Sequence, residues 1–371
     1  MAERYFIGLM SGTSVDAIDA ALVDFTGDTP RCIAASSYPI DAALKNEILH
    51  ACRQRLKTAN EASELDQTLA RRYAAASQQL LEQAGLAARD VIAIGCHGQT
   101  VHHAPAAKPP FSLQLGNAQL LADLTGIPVI SDFRRADIET GGQGAPLVPA
   151  FHNAVLRSHE QDRVVANIGG MANITFLPMA AEAAVRGFDT GPGNVLMDEW
   201  IKRHKNMAYD ANGEWAASGK VNRPLLARML EDDYFRRPPP KSTGREHFNL
   251  LWLDERLNAC QGLAAEDVQA TLCELTAATL CLGITLVSPG CQQLILCGGG
   301  AHNKELLRRL ARHLPGCRIR SSDEFGIHPD FMEAIAFAWL THRHLNGQSG
   351  NLPSVTGAKC AVVLGERSLP G

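Results

Sequence analysis

The feature that most limits how this chain can fold is a pair of strand–turn–strand units, one in each half of the sequence. In the first, apolar runs within residues 5–25 flank the small, polar turn at residues 11–16. In the second, apolar runs within residues 164–177 flank Gly169-Gly170. Each pattern predicts a β-hairpin. Backbone N–H groups and hydroxyls at such tips can bind phosphate oxygens, so two facing tips are suited to a nucleoside triphosphate.

A third glycine feature follows the apolar residues 294–297. Gly298-Gly299-Gly300 comes next, and then the helical pattern of residues 305–314. A glycine run that leads into a helix lets a ligand approach the backbone closely. The dinucleotide-binding and P-loop motifs are absent from it, so taken alone this is equally a tight turn. The predicted nucleotide-binding residues are Gly12, Thr13, Ser14, Val15, Asp16, Ala17, Ile18, Asp19, Gly169, Gly170, Gly298, Gly299 and Gly300.

The order hairpin, boundary, hairpin, glycine turn resembles the layout of the actin-like ATPase and sugar kinase (sugar kinase/Hsp70/actin) superfamily. It predicts an α/β fold of two domains with a nucleotide cleft between the lobes, and 371 residues are enough for two cores. The glycine-rich residues 141–146 predict a flexible inter-domain crossing. We therefore predict domain I over residues 1–138, with residues 346–371 returning to it, and domain II over residues 139–345.

Asp189 is the candidate catalytic residue. It lies among glycines and a proline within residues 187–194, just before the helical pattern of residues 195–201. A carboxylate at such a bend can act as a general base. Helix capping is the alternative role for this aspartate, although Asn194 lies nearer to the helix start.

Four residues are candidates for substrate binding. His97 and Gln99 follow the buried strand predicted for residues 91–96, at the strand end where α/β proteins place ligand groups. Arg134 also follows a predicted strand, and its guanidinium suits a carboxylate or a phosphate; surface solvation is the alternative. Glu333 lies in an almost wholly apolar helical pattern, where a carboxylate is costly unless it is paired or bound to a ligand. Helix capping is the alternative for Glu333.

The candidate metal ligands are few. His97, His102 and His103 lack the nearby carboxylate or cysteine that would complete a tetrahedral zinc site. Asp16 and Asp19 could hold Mg²⁺ through water, because this ion prefers carboxylate and water oxygens. We predict Mg²⁺ as a companion of ATP rather than a zinc site.

Composition and charge narrow the class of protein. A net charge of −4 gives no basic field that would attract nucleic acid or an anionic membrane. The ten cysteines contain no C-x-x-C pair and most lie in apolar runs, which favours buried free thiols in a reducing cytoplasm. We find no secretory signal pattern and no run near the ~20 apolar residues of a membrane span. We expect a cytoplasmic protein that binds small molecules and neither nucleic acid nor membrane. The sequence leaves open whether the protein forms a homodimer.

Motifs along almost the whole chain resemble those of the anhydro-N-acetylmuramic acid kinase family. They occupy residues 10–16, 95–100, 132–134, 141–149, 167–170, 188–194, 240–246, 297–300 and 351–358. One departure is Ala17, where the family usually has glycine. If that position needs a positive φ or a very close phosphate, alanine affects nucleotide affinity.

The resemblance implies an ATP-dependent enzyme of bacterial peptidoglycan recycling. Such an enzyme opens the 1,6-anhydro bridge with water and phosphorylates O6, which gives N-acetylmuramic acid 6-phosphate and ADP. Asp189 would deprotonate the water, and Arg134 would bind the lactyl carboxylate of the sugar. Mg²⁺ and the tip at residues 12–19 would offset charge on the phosphoryl oxygens.

Two other functions stay open on the sequence. An ordinary hexose or amino-sugar kinase of the same fold would activate a substrate hydroxyl and break no glycosidic bond. An actin- or chaperone-like ATPase would hydrolyse ATP without any sugar.

Overall fold

The computed structural model describes residues 5–12, 14–27, 29–54, 59–258, 260 and 262–371. Thr13, one of the predicted nucleotide-binding residues, lies outside the described residues. In chain order the strands are β1 (Tyr5–Ser11), β2 (Ala17–Asp24), β3 (Arg31–Pro39), β4 (Val91–Cys96), β5 (Gln99–Ala104), β6 (Phe111–Leu115), β7 (Val129–Ser131), β8 (Arg163–Ile168), β9 (Met171–Leu177), β10 (Arg186–Pro192), β11 (Gln293–Cys297), β12 (Arg318–Ser321) and β13 (Glu366–Ser368).

The helices follow the same order. They are α1 (Ala42–Gln54), α2 (Ala59–Ala84), α3 (Ala118–Thr125), α4 (Arg135–Glu139), α5 (Val148–Leu156), α6 (Val195–Lys205), α7 (Glu214–Ser218), α8 (Arg223–Leu230), α9 (Asp233–Arg236), α10 (Leu250–Leu257), α11 (Ala265–Val287), α12 (Lys304–His313), α13 (Met332–Leu345) and α14 (Pro353–Thr356).

The chain divides into two compact units, each built around its own sheet. The first unit contains residues 1–155 and 326–371, and the second contains residues 156–325. In the first unit the strand order is β13-β7-β4-β1-β2-β3. Strand β1 pairs antiparallel with β2 and parallel with β4, and β4 pairs parallel with β7. Both predicted apolar runs of the first hairpin are therefore strands of this sheet.

The second unit repeats the arrangement in the order β10-β9-β8-β11-β12. Strand β8 pairs antiparallel with β9 and parallel with β11, so the second predicted hairpin again supplies the central strands. The predicted α/β fold of two domains is confirmed in this duplicated topology.

The boundaries between the units differ from the predicted ones. They fall at 155/156 and 325/326, whereas the sequence predicted 138/139 and 345/346. The physical reason is that α13 packs against β1, β2 and β4 of the first unit. The C-terminal segment also belongs to the first unit, where β13 pairs with β7.

The glycine-rich residues 141–146 are an anchored loop of the first unit rather than the predicted crossing. Asp137, which is fully buried, accepts a hydrogen bond from Gly144 N at 2.7 Å. The same carboxylate accepts hydrogen bonds from Asn351 Nδ2 at 2.6 Å and Thr356 Oγ1 at 2.7 Å. Hydrogen bonds to a charged group typically contribute ~1.5–3 kcal/mol each. The loop is thereby fixed to the C-terminal segment of the chain.

Helix α11 is the central helix of the second unit. By length and composition alone it could span a membrane, with a mean hydropathy of 1.7 over its most apolar window. The expectation that no segment approaches this length was therefore wrong. However, 72% of that window is buried inside the structure, as expected of a core helix. Leu282 and Leu286 are its exposed apolar residues.

The cysteines are all free thiols, in agreement with the sequence prediction. Their burial varies more than expected, because Cys52 and Cys360 are exposed whereas Cys96 and Cys297 are buried.

Two glycines let α13 lie directly on the first sheet. A Cβ added to Gly8 in β1 would lie 1.8 Å from the backbone oxygen of Ala334. A Cβ added to Gly95 in β4 would lie 2.1 Å from Thr341 Oγ1 and 2.4 Å from the backbone oxygen of Phe337. The close contact brings the first turn of α13, which carries Glu333, to the sheet.

We expect Gly8→Ala and Gly95→Ala each to lower the free energy of unfolding by about 3 kcal/mol or more, since neither backbone can yield without separating helix from sheet. Denaturant unfolding followed by circular dichroism measures the effect. Gly290→Ala is the control, because a Cβ there meets nothing within 4 Å, and it should change stability by less than ~0.5 kcal/mol. Equal stability of all three variants would contradict the contact.

Candidate active site

The tip of the first hairpin contains a strained residue. Val15 has a φ of 53°, is almost fully buried and donates its N–H to Gly12 O at 3.1 Å. A β-branched residue in the left-handed region is uncommon, and such strain concentrates at functional sites. Ala17, by contrast, begins β2 opposite Pro39 and has no positive φ. The departure from the family's glycine at position 17 therefore causes no backbone strain.

The two tip aspartates have different surroundings. Asp16 is exposed and forms an ion pair with Lys45. Asp19 is partly buried, and its Oδ1 accepts a hydrogen bond from Ser37 Oγ at 2.7 Å. Burial raises the pKa of Asp19, the Ser37 hydrogen bond opposes this shift, and the nearby Asp330 carboxylate adds to it. A cation beside Asp19 would offset the cost of burying its charge and the repulsion from Asp330. Asp19 is therefore better suited than Asp16 to bind Mg²⁺ through water.

No zinc site is evident in the part of the chain that the structure describes. Among the described residues, no group of three or more His, Cys, Asp or Glu side chains has an arrangement that could hold a metal ion. His103 Nδ1 lies 2.9 Å from Ser112 Oγ, and the His102 ring packs against Phe111. Burial lowers the pKa of His103 to about 4, and the Arg134 and His102 charges contribute.

His97 and Arg134 are in direct contact in the first unit. Arg134 donates to His97 Nε2 from Nη2 at 2.8 Å and from Nε at 3.2 Å. Arg134 Nη1 donates to Gly144 O at 2.6 Å, which gives the anchored glycine loop its role at the site. His97 Nδ1 lies 2.7 Å from Gly98 O, so the neutral tautomer with its proton on Nδ1 satisfies both contacts. Burial and the Arg134 charge hold the pKa of His97 well below its usual value.

Glu333 belongs to the same group of side chains. Burial raises the pKa of Glu333, the Asp19 carboxylate raises it further, and Arg134 lowers it. Burial lowers the pKa of Arg134 to about 10, although Glu333 and Asp137 oppose that shift. These mutual effects mean that Arg134, Glu333 and Asp19 lie within electrostatic reach. The structure thus brings together residues predicted from separate parts of the sequence.

Gln99 is the first residue of β5 and is almost fully buried. Its Nε2 donates to Thr100 O at 3.3 Å, whereas its Oε1 has no hydrogen-bond partner among the described residues. A buried amide oxygen without a partner is costly, which leaves it available to a ligand donor.

Asp189, in the second unit, lies in strand β10 opposite Asn173 rather than at the predicted bend. Three hydrogen bonds fix it. Its N–H donates to Lys241 O at 3.1 Å, its carbonyl accepts from Tyr234 Oη at 2.6 Å, and its Oδ2 accepts from Thr243 N at 3.0 Å. The capping alternative is excluded, because these contacts tie Asp189 to a different segment from α6.

The environment of Asp189 shifts its proton affinity. Burial raises the pKa of Asp189 to about 6, the Thr243 hydrogen bond opposes the shift, and the Glu246 carboxylate adds to it. Such a carboxylate is ionised at neutral pH yet has more affinity for a proton than a free aspartate. These are the properties of a general base.

The sequence analysis used residues 240–246 only as a motif that resembles the kinase family and predicted no role for them at the site. The structure shows that this segment holds Asp189. Its contacts are made by backbone groups, which any residue type could supply. The signal that could have identified it is a polar, aperiodic stretch among helical patterns.

The turn of the second hairpin contacts the start of α6. Gly170 O accepts hydrogen bonds from Gly193 N at 2.9 Å and Val195 N at 3.1 Å, and Gly169 O accepts one from Asn194 N at 2.8 Å. Asn194 precedes α6, but its side chain donates to Ile168 O instead of capping the helix.

A cavity of about 350 Å³ lies beside the third glycine feature. Gly299 is one of its walls, and the sequence did not identify its other main polar and aromatic residues. The cavity is lined by Asn194, Met197, Asp198, Tyr209, Asp210, Asn212, Gly299, His302 and Asn303. Tyr209 is 64% exposed, an unusual state for an aromatic ring and one suited to stacking on a base. Of the predicted nucleotide-binding residues, Gly299 lines this cavity.

Comparisons with known proteins agree over nearly the whole chain. A family model described as anhydro-N-acetylmuramic acid kinase matches residues 4–369. An anhydro-N-acetylmuramic acid kinase of Chromohalobacter salexigens is 51% identical over 365 residues, which cover 97% of this chain and 98% of that protein.

Solved structures are more distant. The activator of the 2-hydroxyisocaproyl-CoA dehydratase from Clostridium difficile, with bound ADPNP, has a TM-score of 0.49 and 12% identity, covering 90% of this chain and 92% of that one. Component A of the (R)-2-hydroxyglutaryl-CoA dehydratase from Acidaminococcus fermentans has a TM-score of 0.47 and 12% identity, covering 89% and 96%.

We expect Glu246→Gln to lower the pKa of Asp189, because the substitution removes a negative charge that disfavours ionisation. The pKa is measured by titrating the carboxyl ¹³C resonance of protein labelled at aspartate, assigned by its loss in Asp189→Asn. Glu255→Gln is the control, since Glu255 is exposed and pairs with Arg256. An unchanged or higher pKa in Glu246→Gln would contradict the electrostatic origin of the shift.

Proposed function

Because the chain belongs to the anhydro-N-acetylmuramic acid kinase family, we propose that it uses ATP to convert anhydro-N-acetylmuramic acid into N-acetylmuramic acid 6-phosphate, a step of peptidoglycan recycling in the cytoplasm. The observation that carries the proposal is Asp189, which is held at three atoms and has a pKa of about 6. The family match favours this reaction over an ordinary sugar kinase.

Asp189 is the proposed general base. Its ionised carboxylate takes a proton from water, and the water oxygen bonds to the anomeric carbon. The bond from that carbon to O6 breaks, and O6 bonds to the γ-phosphorus while ADP leaves. A fixed carboxylate orients the water for this attack, and general-base assistance of this kind contributes ~10²–10⁴-fold in rate.

The first unit carries the proposed sugar contacts. Three of the five N–H donors of Arg134 reach His97 and Gly144, which fixes the guanidinium and leaves N–H groups for the lactyl carboxylate. Glu333 and Gln99 are proposed to accept hydrogen bonds from hydroxyl or amide groups of the sugar. Their partial or full burial makes an unpaired state costly, so a polar ligand would stabilise both.

ATP is proposed to bind at the two hairpin turns and at the cavity beside Gly299. Mg²⁺ is proposed to accompany it through water on Asp19, where it would offset charge on the phosphoryl oxygens. A homodimer stays an open prediction.

We expect Gly299→Val to weaken ATP binding by about tenfold or more, which corresponds to ~1.4 kcal/mol, without loss of thermal stability. A Cβ at Gly299 would meet only Asn194 Nδ2, at 3.9 Å, so bulk would extend into the cavity. Calorimetry with a non-hydrolysable ATP analogue measures the affinity.

Gly300→Ala is the contrasting variant. A Cβ there would lie 2.3 Å from Ile168 Cγ2, so this change should lower stability instead. Wild-type affinity in a folded Gly299→Val protein would refute the position of the nucleotide.

We expect Asp189→Asn to lower kcat by ~10²–10⁴-fold, because the amide retains the size of the side chain but accepts no proton. Nucleotide affinity should be retained. Asp233→Asn, at an exposed position on the same unit, is the control. Near-normal turnover of Asp189→Asn would assign the base elsewhere, with Glu333 as the next candidate.

The same reaction run in ¹⁸O-labelled water distinguishes the alternatives. The label should appear at the anomeric carbon and not in phosphate. Label in phosphate would indicate an ATPase. Label in neither product, after correction for spontaneous exchange at the anomeric centre, would indicate a simple hydroxyl kinase.

A further inference from the structure

The guanidinium of Arg245 forms only one long ion pair with the described residues around it. Its Nη1 lies 3.6 Å from Glu199 Oε1, which is too long for a hydrogen bond, and its side chain is 42% exposed. The described residues offer its guanidinium no shorter polar contact. A planar group with five donors thus faces solvent beside one loosely paired carboxylate.

The group that Arg245 approaches is the turn of the second hairpin. A Cβ added to Gly170 would lie 3.9 Å from Arg245 Nη2 and 4.0 Å from Val195 Cβ, and a Cβ on Gly169 would come no closer than 3.6 Å to any neighbour. These are ordinary van der Waals distances, and neither glycine has a positive φ. The protein's own packing therefore does not require glycine at either position. A ligand that lies against the bare backbone explains both glycines.

The position of this turn indicates which part of a nucleotide reaches it. Asn194, which lines the proposed nucleoside cavity, donates its N–H to Gly169 O. Arg245 follows Thr243 by two residues, and Thr243 N–H binds the carboxylate of Asp189. The turn therefore contacts a wall of the nucleoside cavity and lies near the side chain of Arg245, which belongs to the loop that holds the base. A phosphate chain that extends from the cavity toward Asp189 would run along Gly170, and its terminal phosphate would lie farthest from the cavity.

We propose that Arg245 binds the terminal phosphate of ATP and stabilises it during transfer, an assignment that rests on the proposed kinase function. In that step the bond between the γ-phosphorus and the oxygen that bridges it to the β-phosphate breaks, and the bond from O6 to the γ-phosphorus forms. Negative charge on the three other γ-oxygens meets the guanidinium, which can bind two of them at once.

A purely structural role for Arg245 gives different expectations. If its ion pair with Glu199 only fastened the loop to α6, removing either partner would have the same effect. A partly exposed pair of this kind contributes little to stability, ~0–1 kcal/mol. The two roles are therefore separable by comparing variants of the two partners.

The test uses Arg245→Gln, Arg245→Lys and Glu199→Gln in the full chain, with wild-type protein alongside. Turnover of anhydro-N-acetylmuramic acid gives kcat, and calorimetry gives the affinities for ADP and for a non-hydrolysable ATP analogue.

We expect Arg245→Gln to lower kcat by ~10²–10³-fold, the usual cost of removing one charge-stabilising donor. Affinity for the ATP analogue should fall more than affinity for ADP. Arg245→Lys should lose less kcat than Arg245→Gln, because lysine keeps the positive charge but lacks the paired N–H donors of the guanidinium. Glu199→Gln should keep near-wild-type kcat.

Three results would overturn the assignment: kcat of Arg245→Gln within about threefold of wild type, an equal loss in Glu199→Gln, or equal losses of affinity for ADP and the ATP analogue. Wild-type protein that binds the analogue but does not turn over the sugar would count against the proposed substrate instead. The comparison of ADP with the analogue would still decide the role of Arg245.

Discussion

The buried carboxylate of Asp137 joins the glycine-rich loop at residues 141–146 to residues 351–356, two segments of the first unit that are far apart in the sequence. Burying such a charge is costly unless hydrogen bonds satisfy it, and here Gly144, Asn351 and Thr356 supply the donors. With Gly144 N held by Asp137, Gly144 O is fixed in place to accept from Arg134. The geometry of the predicted sugar-binding arginine thus depends on an interaction outside the site.

The same unit shows how charged groups of both signs can coexist in a partly buried cluster. Burial raises the pKa of both Asp19 and Glu333. The Asp330 carboxylate adds to the shift of Asp19, the Asp19 carboxylate adds to that of Glu333, and Arg134 opposes the shift of Glu333. His97 stays neutral because it is buried and Arg134 is adjacent. Burial is therefore the main cause of these shifts and Arg134 modifies two of them, so a ligand that adds a negative charge beside Arg134 would change the electrostatic balance of the cluster. In the second unit, the position of Asp189 is fixed in a different way, by hydrogen bonds to backbone groups of Lys241 and Thr243.

The sequence predicted those elements whose signals are local. Helix α3 shows such local signals, because Asn117 is its N-cap and Gly126 lies in the left-handed conformation at its end. Both hairpins had long apolar runs beside small turns.

The site residues His97, Arg134 and Glu333 were identified because each is a polar group at the end of a strand or inside an apolar pattern. The electrostatic interaction of Glu333 with Arg134 and Asp19, in contrast, depends on the packing of α13 on the sheet, which no local pattern contains. Residues 141–146 were misjudged for the same reason, since a glycine-rich composition indicates flexibility unless a distant acid such as Asp137 anchors it. The bonds from Lys241 and Thr243 to Asp189 are backbone bonds and leave no mark on residue type.

The division of the first unit into two stretches of chain has a consequence for synthesis on the ribosome. The second unit is continuous from residue 156 to residue 325, so all its strands are available before the rest of the chain has been made. The first unit needs α13 to cover β1 and β4, and it needs β13 to complete the sheet edge at β7. Domains commonly fold from the N-terminus as they emerge, but here the N-terminal sheet waits for the last residues of the chain. The nascent protein therefore carries a finished second unit while the apolar face of the first sheet is still uncovered, and this interval is when the chain is most exposed to aggregation.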